Sequence, residues 1–321
     1  MMPNEENVVE IAHLSKRYGG FIALEDLSMN IRRGEILGFI GPNGAGKTTT
    51  IKILVGLSKP SSGYARIAGV DCSKGARQIK QLVGYMPDRF GSYDNMRVRE
   101  YLDFFGAAYG IRWSNRKSRI DEVLEITKTA AMQDKFVESL SHGMQQRVGI
   151  ARTLLHDPEV LILDEPANGL DPKARIEMRE LLLELSKRGK TLIVTSHILP
   201  ELARICNKVA IITGGRLRAF GPLDEVMRQL CPRRNFEVQL VDSSAMTTAT
   251  NWLQSQLGAD EELTVSGAER TLRFPTTKSE TELANILHSL VQNNIAISQF
   301  REVVTDLEDA FLSVANRNYD V

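Results

Sequence analysis

The sequence predicts an α/β fold, a mainly parallel sheet clad by helices, followed by a small α+β module. Three observations carry this reading. An apolar run, Ile36-Leu37-Gly38-Phe39-Ile40, enters a glycine-rich stretch and then a helix-like segment from Thr49 onward. Further runs that are apolar on both faces, over 160–163 and 191–195, alternate with amphipathic helical segments, as buried parallel strands do. Past Cys231-Pro232-Arg233-Arg234 the order becomes β-α-β-β-α-β, the pattern of a ferredoxin-like domain.

Taken in order, Val8 to Leu14 reads as a strand and Ser15 to Gly20 as a loop carrying Tyr18. Leu27, Met29 and Ile31 alternate with polar residues, which suits a half-buried antiparallel strand. A short strand over 64–68 and another over 81–88, stopped at Pro87, come next. Two helices follow: 97–109, with Val98, Tyr101, Leu102 and Phe105 on one face, and 115–128, with Ile120, Val123 and Leu124. The basic residues Arg112, Arg116, Lys117 and Arg119 read as a solvated helix face. A helix opens near Leu140-Ser141 and runs to about His156, and 172–188 is amphipathic, with proline at its first turn and Gly189 beyond its end. Residues 209–220 read as a hairpin turning at Gly214-Gly215. This divides the chain into 1–230, with a helical subdomain at about 89–157, and an accessory domain over 235–321. In the second part, strands at 236–240, 263–265, 271–274 and 295–300 surround helices at 245–257 and 280–292, and 307–314 suits a last helix.

Composition narrows the function classes. The 321 residues allow an ample core. Formal net charge is zero, so no global basicity points to nucleic acid. Cys72, Cys206 and Cys231 lack metal-ligand spacing, which suits a reducing compartment. The polar, acidic start is no signal peptide. No apolar run approaches the ~20 residues needed to cross a bilayer, so membrane work is expected of another chain.

Gly41-Pro42-Asn43-Gly44-Ala45-Gly46-Lys47-Thr48 lies between strand and helix, the P-loop arrangement. Glycines let backbone N–H groups converge on one phosphate, and the helix N-terminus adds partial positive charge there. Lys47 can then reach the β- and γ-phosphates and Thr48 can ligate Mg²⁺. The strand ending in Asp164-Glu165 is the natural partner: Asp164 for the metal, usually through water, and Glu165 as acceptor of a proton from an attacking water. His197, also at a strand end, could hold the γ-phosphate or orient that water. Tyr18 is open to two readings, a half-buried tyrosine or a face on which adenine stacks.

As a set these motifs resemble the ATP-binding subunit of an ABC transporter, over about residues 8–230. Gly41 to Thr48 resembles Walker A, and Leu161 to Glu165 resembles Walker B with its glutamate. Ser141-His142-Gly143-Met144-Gln145 resembles the signature, although the common form has two glycines where this chain has His142 and Gly143. Asn168-Gly169-Leu170-Asp171 resembles the D-loop and Ser196-His197 the switch histidine, and in that company Tyr18 matches the adenine-stacking aromatic. Asp88 stands where the family usually has glutamine. Leu307-Glu308-Asp309-Ala310-Phe311-Leu312 fits a C-terminal pattern of exporter-type members.

The resemblance implies an ATPase of the P-loop NTPase class using ATP and Mg²⁺. Gly41 to Thr49, Thr49 included, would bind nucleotide, and Thr48, Asp88 and Asp164 would serve the metal. It implies a head-to-tail homodimer in which Ser141, Gly143, Met144 and Gln145 of one chain complete the site of the other. It also implies a separate integral-membrane permease subunit, placement at the cytoplasmic face of the membrane, and no nucleic-acid partner. Two alternatives are weighed. A soluble ABC ATPase acting on DNA or ribosomes is expected to carry tandem ATPase domains, coiled-coil insertions or zinc modules. A non-enzymatic ATP sensor has no need of Glu165.

Overall fold

The computed structural model describes residues 7–88, 95–196, 199–230, 233–257 and 263–303. His197, the Cys231-Pro232 step, the 307–312 pattern and the helix expected over 307–314 lie outside the described residues. The chain divides into two compact units, Met1–Val226 and Met227–Val321.

In the first unit, β1 (Asn7–Tyr18) and β2 (Phe21–Arg32) form an antiparallel hairpin. The expected loop over 15–20 is therefore mostly strand. Tyr18 faces Phe21 across only Gly19-Gly20, and Gly19 supplies the φ of 57° that so tight a turn needs. β3 (Ile36–Ile40) is buried at every residue and leads through the glycine-rich loop to α1 (Lys47–Leu54). β4 (Ser62–Ile67) and β5 (Val70–Asp71) complete an antiparallel sheet in the order β2-β1-β4-β5.

Helix α2 (Ala76–Leu82) has no counterpart in the sequence reading. It buries only Ile79, so its polar composition shows no helical stripe. It takes Gln81 and Leu82 from the strand expected over 81–88, leaving β6 (Val83–Met86).

The helical layer is α3 (Val98–Ala108), α4 (Trp113–Ile126) and α5 (His142–Leu154), packed through Tyr101, Leu102, Val123, Leu124, Val148 and Leu154. The solvated basic face expected on α4 is corrected here. Arg112 and Lys117 are exposed, but Arg116 reaches the Asp103 carbonyl at 3.2 Å and Arg119 turns inward. Arg119 donates to the carbonyls of Leu154 at 2.5 Å and Leu155 at 2.9 Å, and pairs with Glu122 and Asp157. Both carbonyls lie at the end of α5, where helix carbonyls lack intrahelical partners. Leu154 also accepts the Asp157 N–H at 3.0 Å, and the arginine there closes a helix rather than facing water.

β7 (Val160–Asp164), α6 (Pro172–Lys187), β8 (Thr191–Thr195), α7 (Leu199–Ala203), β9 (Lys208–Thr213), β10 (Arg216–Pro222) and α8 (Leu223–Leu230) follow. The main sheet runs β10-β9-β3-β8-β7-β6, parallel from β9 to β6, with β10 antiparallel at the edge. Among the described residues no helix is long and apolar enough to cross a membrane.

The second unit holds β11 (Arg234–Leu240), α9 (Met246–Leu257), β12 (Thr264–Ser266), β13 (Thr271–Thr276), α10 (Glu280–Gln292) and β14 (Ile297–Val303). The antiparallel order β12-β13-β11-β14 is the split β-α-β arrangement. Both helices pack on Phe236, Val238, Leu272 and Phe274. On the other face Glu237, 2% exposed, is held by Arg273 at 2.6 Å and Arg301 at 2.7 Å from the flanking strands.

Arg119→Ala should lower stability by about 2 kcal/mol, because it strips charged donors from half-buried carbonyls. The urea midpoint, measured beside that of Lys117→Ala as an exposed control, tests this; equal midpoints would refute the capping role.

Candidate functional site

Three strands deliver the site. In the parallel register Phe39 of β3 lies beside Thr195 of β8, and Thr195 beside Asp164 of β7. The segments that leave these strands therefore meet at one carboxyl edge, where open α/β sheets bind ligands. They enclose a cleft of about 360 Å³ lined by Phe21, Ala23, the loop from Pro42 through Thr49, Asp88, Asp164 and Glu165.

The loop is shaped as a cradle. Gly44 and Gly46 adopt φ of 81° and 110°, conformations that L side chains resist. A Cβ on Gly46 would stand 2.6 Å from Leu24 Cδ2, and one on Gly41 would strike the Ile212 carbonyl oxygen. Helix α1 starts at Gly46 without a side-chain cap and without an acidic residue in its first turn. Its first N–H groups and positive dipole end are thus left for an anion. Lys47 Nζ donates to the carbonyls of Gly41 at 2.5 Å and Pro42 at 3.1 Å. Burial holds its pKa below the ordinary lysine value, and the carboxylates of Glu165 and Asp164 pull in the opposite direction.

The acidic wall is held by a residue that sequence reasoning did not single out. The Thr195 hydroxyl donates to Asp164 Oδ1 at 2.6 Å and accepts the Glu165 N–H at 3.0 Å, and Thr195 is fully buried. Its only signal in the sequence is a hydroxyl closing an apolar strand. Glu165 itself adopts φ 54°, a strained backbone for a residue with a side chain. Tyr85 of β6 lies near enough to feel the Asp164 charge. Burial first, and that carboxylate second, push its hydroxyl up to about 12.

No group of three His, Cys, Asp or Glu side chains among the described residues could hold a metal alone. The donors that share the cleft, the Thr48 hydroxyl and the carboxylates of Asp164 and Asp88, are hard oxygens. They fit a Mg²⁺ that also takes phosphate oxygens and water.

Of the remaining site candidates, Asp88 stands at the rim of this cleft, and Tyr18 and the Ser141–Gln145 segment are not among its lining residues. Tyr18, 48% exposed, is not among its lining residues, and Lys16 Nζ sits 4.8 Å from its ring centroid. Its hairpin neighbour Phe21, 64% exposed, and Ala23 line the cleft instead. The sequence flagged neither, since a single aromatic and an alanine in a strand carry no pattern. Ser141 precedes α5 without a side-chain cap bond, Gly143 lets α5 approach Ala174 of α6, and Gln145 Nε2 donates to the Val137 carbonyl at 3.2 Å. Met144 is half-buried on the same turn. Asp88 is exposed at the cleft rim, with Asn168 Nδ2 at 3.4 Å.

The family profile described as ABC transporter matches residues 24–168. The chain is 42% identical over 238 residues to the bacitracin transport ATP-binding protein BcrA of Bacillus licheniformis, covering 74% of this chain and 76% of that protein. It is 36% identical over 312 residues to the uncharacterized ABC transporter ATP-binding protein YcbN of Bacillus subtilis, covering 97% and 98% of the two chains. It is also 40% identical over 214 residues to the Nod factor export ATP-binding protein I of Burkholderia orbicola, covering 66% of this chain and 70% of that protein. A solved structure of an ATP binding subunit of an ABC transporter superposes with a TM-score of 0.63 at 33% identity, covering 69% of this chain and 92% of that one. With its loop cradle facing Asp164 and Glu165 across one cleft, the chain belongs to the ATP-binding subunits of ABC transporters, a family of ATPases.

Proposed function

We propose that this chain hydrolyses ATP in the cleft between Gly41–Thr49 and Asp164-Glu165 and passes the resulting movement to a membrane permease that exports its substrate. The observation that carries this is the cradle facing two carboxylates at one sheet edge. Phosphates rest on the loop N–H groups and on Lys47, while Phe21 and Ala23 in the cleft offer apolar surface to the base and sugar. The family resemblance adds Tyr18, across the hairpin turn from Phe21, for the adenine. Thr48 and Asp164 would hold Mg²⁺, with Asp88 reaching it through water. Bound Mg²⁺ would offset the phosphate charge as the bond to the γ-phosphoryl group breaks. Glu165 accepts the proton of the attacking water, in the orientation that Thr195 gives its backbone. The family resemblance assigns His197 to the γ-phosphate or to that water.

Ser141, Gly143, Met144 and Gln145 serve a second copy. Their helix start is uncapped and lies outside the cleft of its own chain, as a head-to-tail C₂ dimer with two shared sites requires. The 1–230 part carries this chemistry, and the second module is accessory. Zero net charge gives the nucleic-acid alternative no support.

ABC ATP-binding subunits work with membrane permeases. A groove of about 600 Å³, lined by Val55, Leu57, Ile79, Tyr85, Phe105 and Tyr109 and also by Arg77 and Lys80, suits an amphipathic helix of such a subunit. Leu57, 65% exposed, stands on its rim. The chain would then sit at the cytoplasmic face of the membrane, held there by the permease. Export as the direction of transport is the reading favoured by the Nod factor export relative.

Lys47→Ala should weaken ATP binding about tenfold to a hundredfold, the worth of charge-assisted hydrogen bonds. Nucleotide titration reads it, and unchanged affinity would remove the cradle assignment. Glu165→Gln should keep ATP affinity and lower turnover about a hundredfold or more, and light scattering with ATP should show a dimer. A monomer at saturating nucleotide would end the shared-site reading. Leu57→Asp should leave the basal ATPase unchanged and abolish its stimulation by the reconstituted permease; full stimulation would place the docking surface elsewhere.

A further inference from the structure

The two positions at which the sequence departs from the family pattern, Asp88 and His142, meet at one residue. Asn168 Nδ2 donates to Asp88 Oδ1 at 3.4 Å, and the Asn168 carbonyl oxygen lies 3.0 Å from His142 Nε2. The Asn168 N–H donates to the Glu165 carbonyl at 3.1 Å. One residue therefore touches the loop after β6, the start of α5 and the strained turn that carries Glu165.

The surroundings of the imidazole match this arrangement. Gly169, at φ 68°, flanks the ring; a Cβ there would make only ordinary contact, 3.4 Å from His142 Cδ2, so it is the positive φ that calls for glycine. Gln146, one turn along α5 and 1% exposed, places its amide nitrogen 3.4 Å from His142 Nε2. Its Oε1 has no hydrogen-bond partner among the described residues. Oxygen and nitrogen of such an amide are interchangeable by a flip. The Asn168 carbonyl at 3.0 Å requires a donor on Nε2, and turning the amide over sets Oε1 against that same N–H while its nitrogen takes the unpartnered position. The ring then carries its proton on Nε2. A glycine at 142, the family's common residue, could supply none of this.

We propose that His142 and Asn168 are positioning residues for hydrolysis: together they hold the turn after Glu165 between Asp88 and the start of α5. The turn needs such support because a non-glycine residue at φ 54° persists only when its surroundings over-determine it. The inference rests on the proposed role of Glu165 as proton acceptor. Since the start of α5 is also the segment proposed to serve the partner's ATP, the link joins each Glu165 to the segment its own chain offers the other site.

The test is steady-state ATP hydrolysis by the full-length chain, with thermal unfolding measured in parallel. His142→Gly and Asn168→Ala should each lower kcat about threefold to tenfold, the worth of one or two neutral hydrogen bonds, with KM for ATP and the unfolding midpoint unchanged. His142→Gln, which keeps an N–H donor, should recover most of the loss. The double variant should fall little further than the worse single one, because both residues hold the same turn. Wild-type kcat in His142→Gly, multiplying losses in the double variant, or a raised KM at unchanged kcat would each overturn the proposal. Glu165→Gln separates the two levels. If it retains turnover, the proton-acceptor role fails; if it is inactive while His142→Gly is wild type, only the positioning link fails.

Discussion

The parallel register of β3, β8 and β7 is the constraint on which the site depends. It sets Phe39, Thr195 and Asp164 side by side at the carboxyl ends of three buried strands. A shift of one residue in either pairing would turn Asp164 away from the cleft or bury it under a helix, because side chains alternate between faces along a strand. The hydroxyl of Thr195 fixes this alignment chemically. It donates to one neighbour's carboxylate and accepts from the next residue's amide, so the turn into Glu165 begins from a defined point.

Around that edge the charges are arranged in opposition. Lys47 pays the cost of partial burial and is drawn back toward its charged form by Asp164 and Glu165. A triphosphate entering the cleft would add the opposite charge to the same lysine and repel the two carboxylates, so a divalent cation between phosphates and carboxylates suits the electrostatics. The same logic runs through the helical layer. Arg119 is held inward not by a carboxylate alone but by the terminal carbonyls of α5. The helix whose first turn is proposed to serve a second copy is thereby closed at its far end.

Much of this was legible in the sequence, for physical reasons that can be named. Strands 36–40, 160–164 and 191–195 announce themselves because both faces are buried. Helix 280–292 does so because its cap and its apolar stripe agree, Ser279 bonding Glu282 in a capping box. The hidden elements lacked such signals. Helix α2 buries one residue, and Ser15 to Tyr18 look like loop until their pairing with β2 and β4 is known. Arg116 and Arg119 read as solvated because helix periodicity does not say which carbonyls lie within reach of a guanidinium.

The sequence by itself determined the chemistry: glycines where a backbone must curl around phosphate, a lysine and threonine at the following helix start, and two acids at a strand end. These depend on local backbone geometry, which short stretches of chain encode. Only the tertiary structure decided which distant groups share a position. It placed Phe21 and Ala23 rather than Tyr18 along the cleft, set Thr195 between Asp164 and Glu165, and brought Asp88 and His142 to Asn168. Those contacts join residues separated by 26 to 80 positions in the chain. Strand order and helix packing create them, and no local pattern records either.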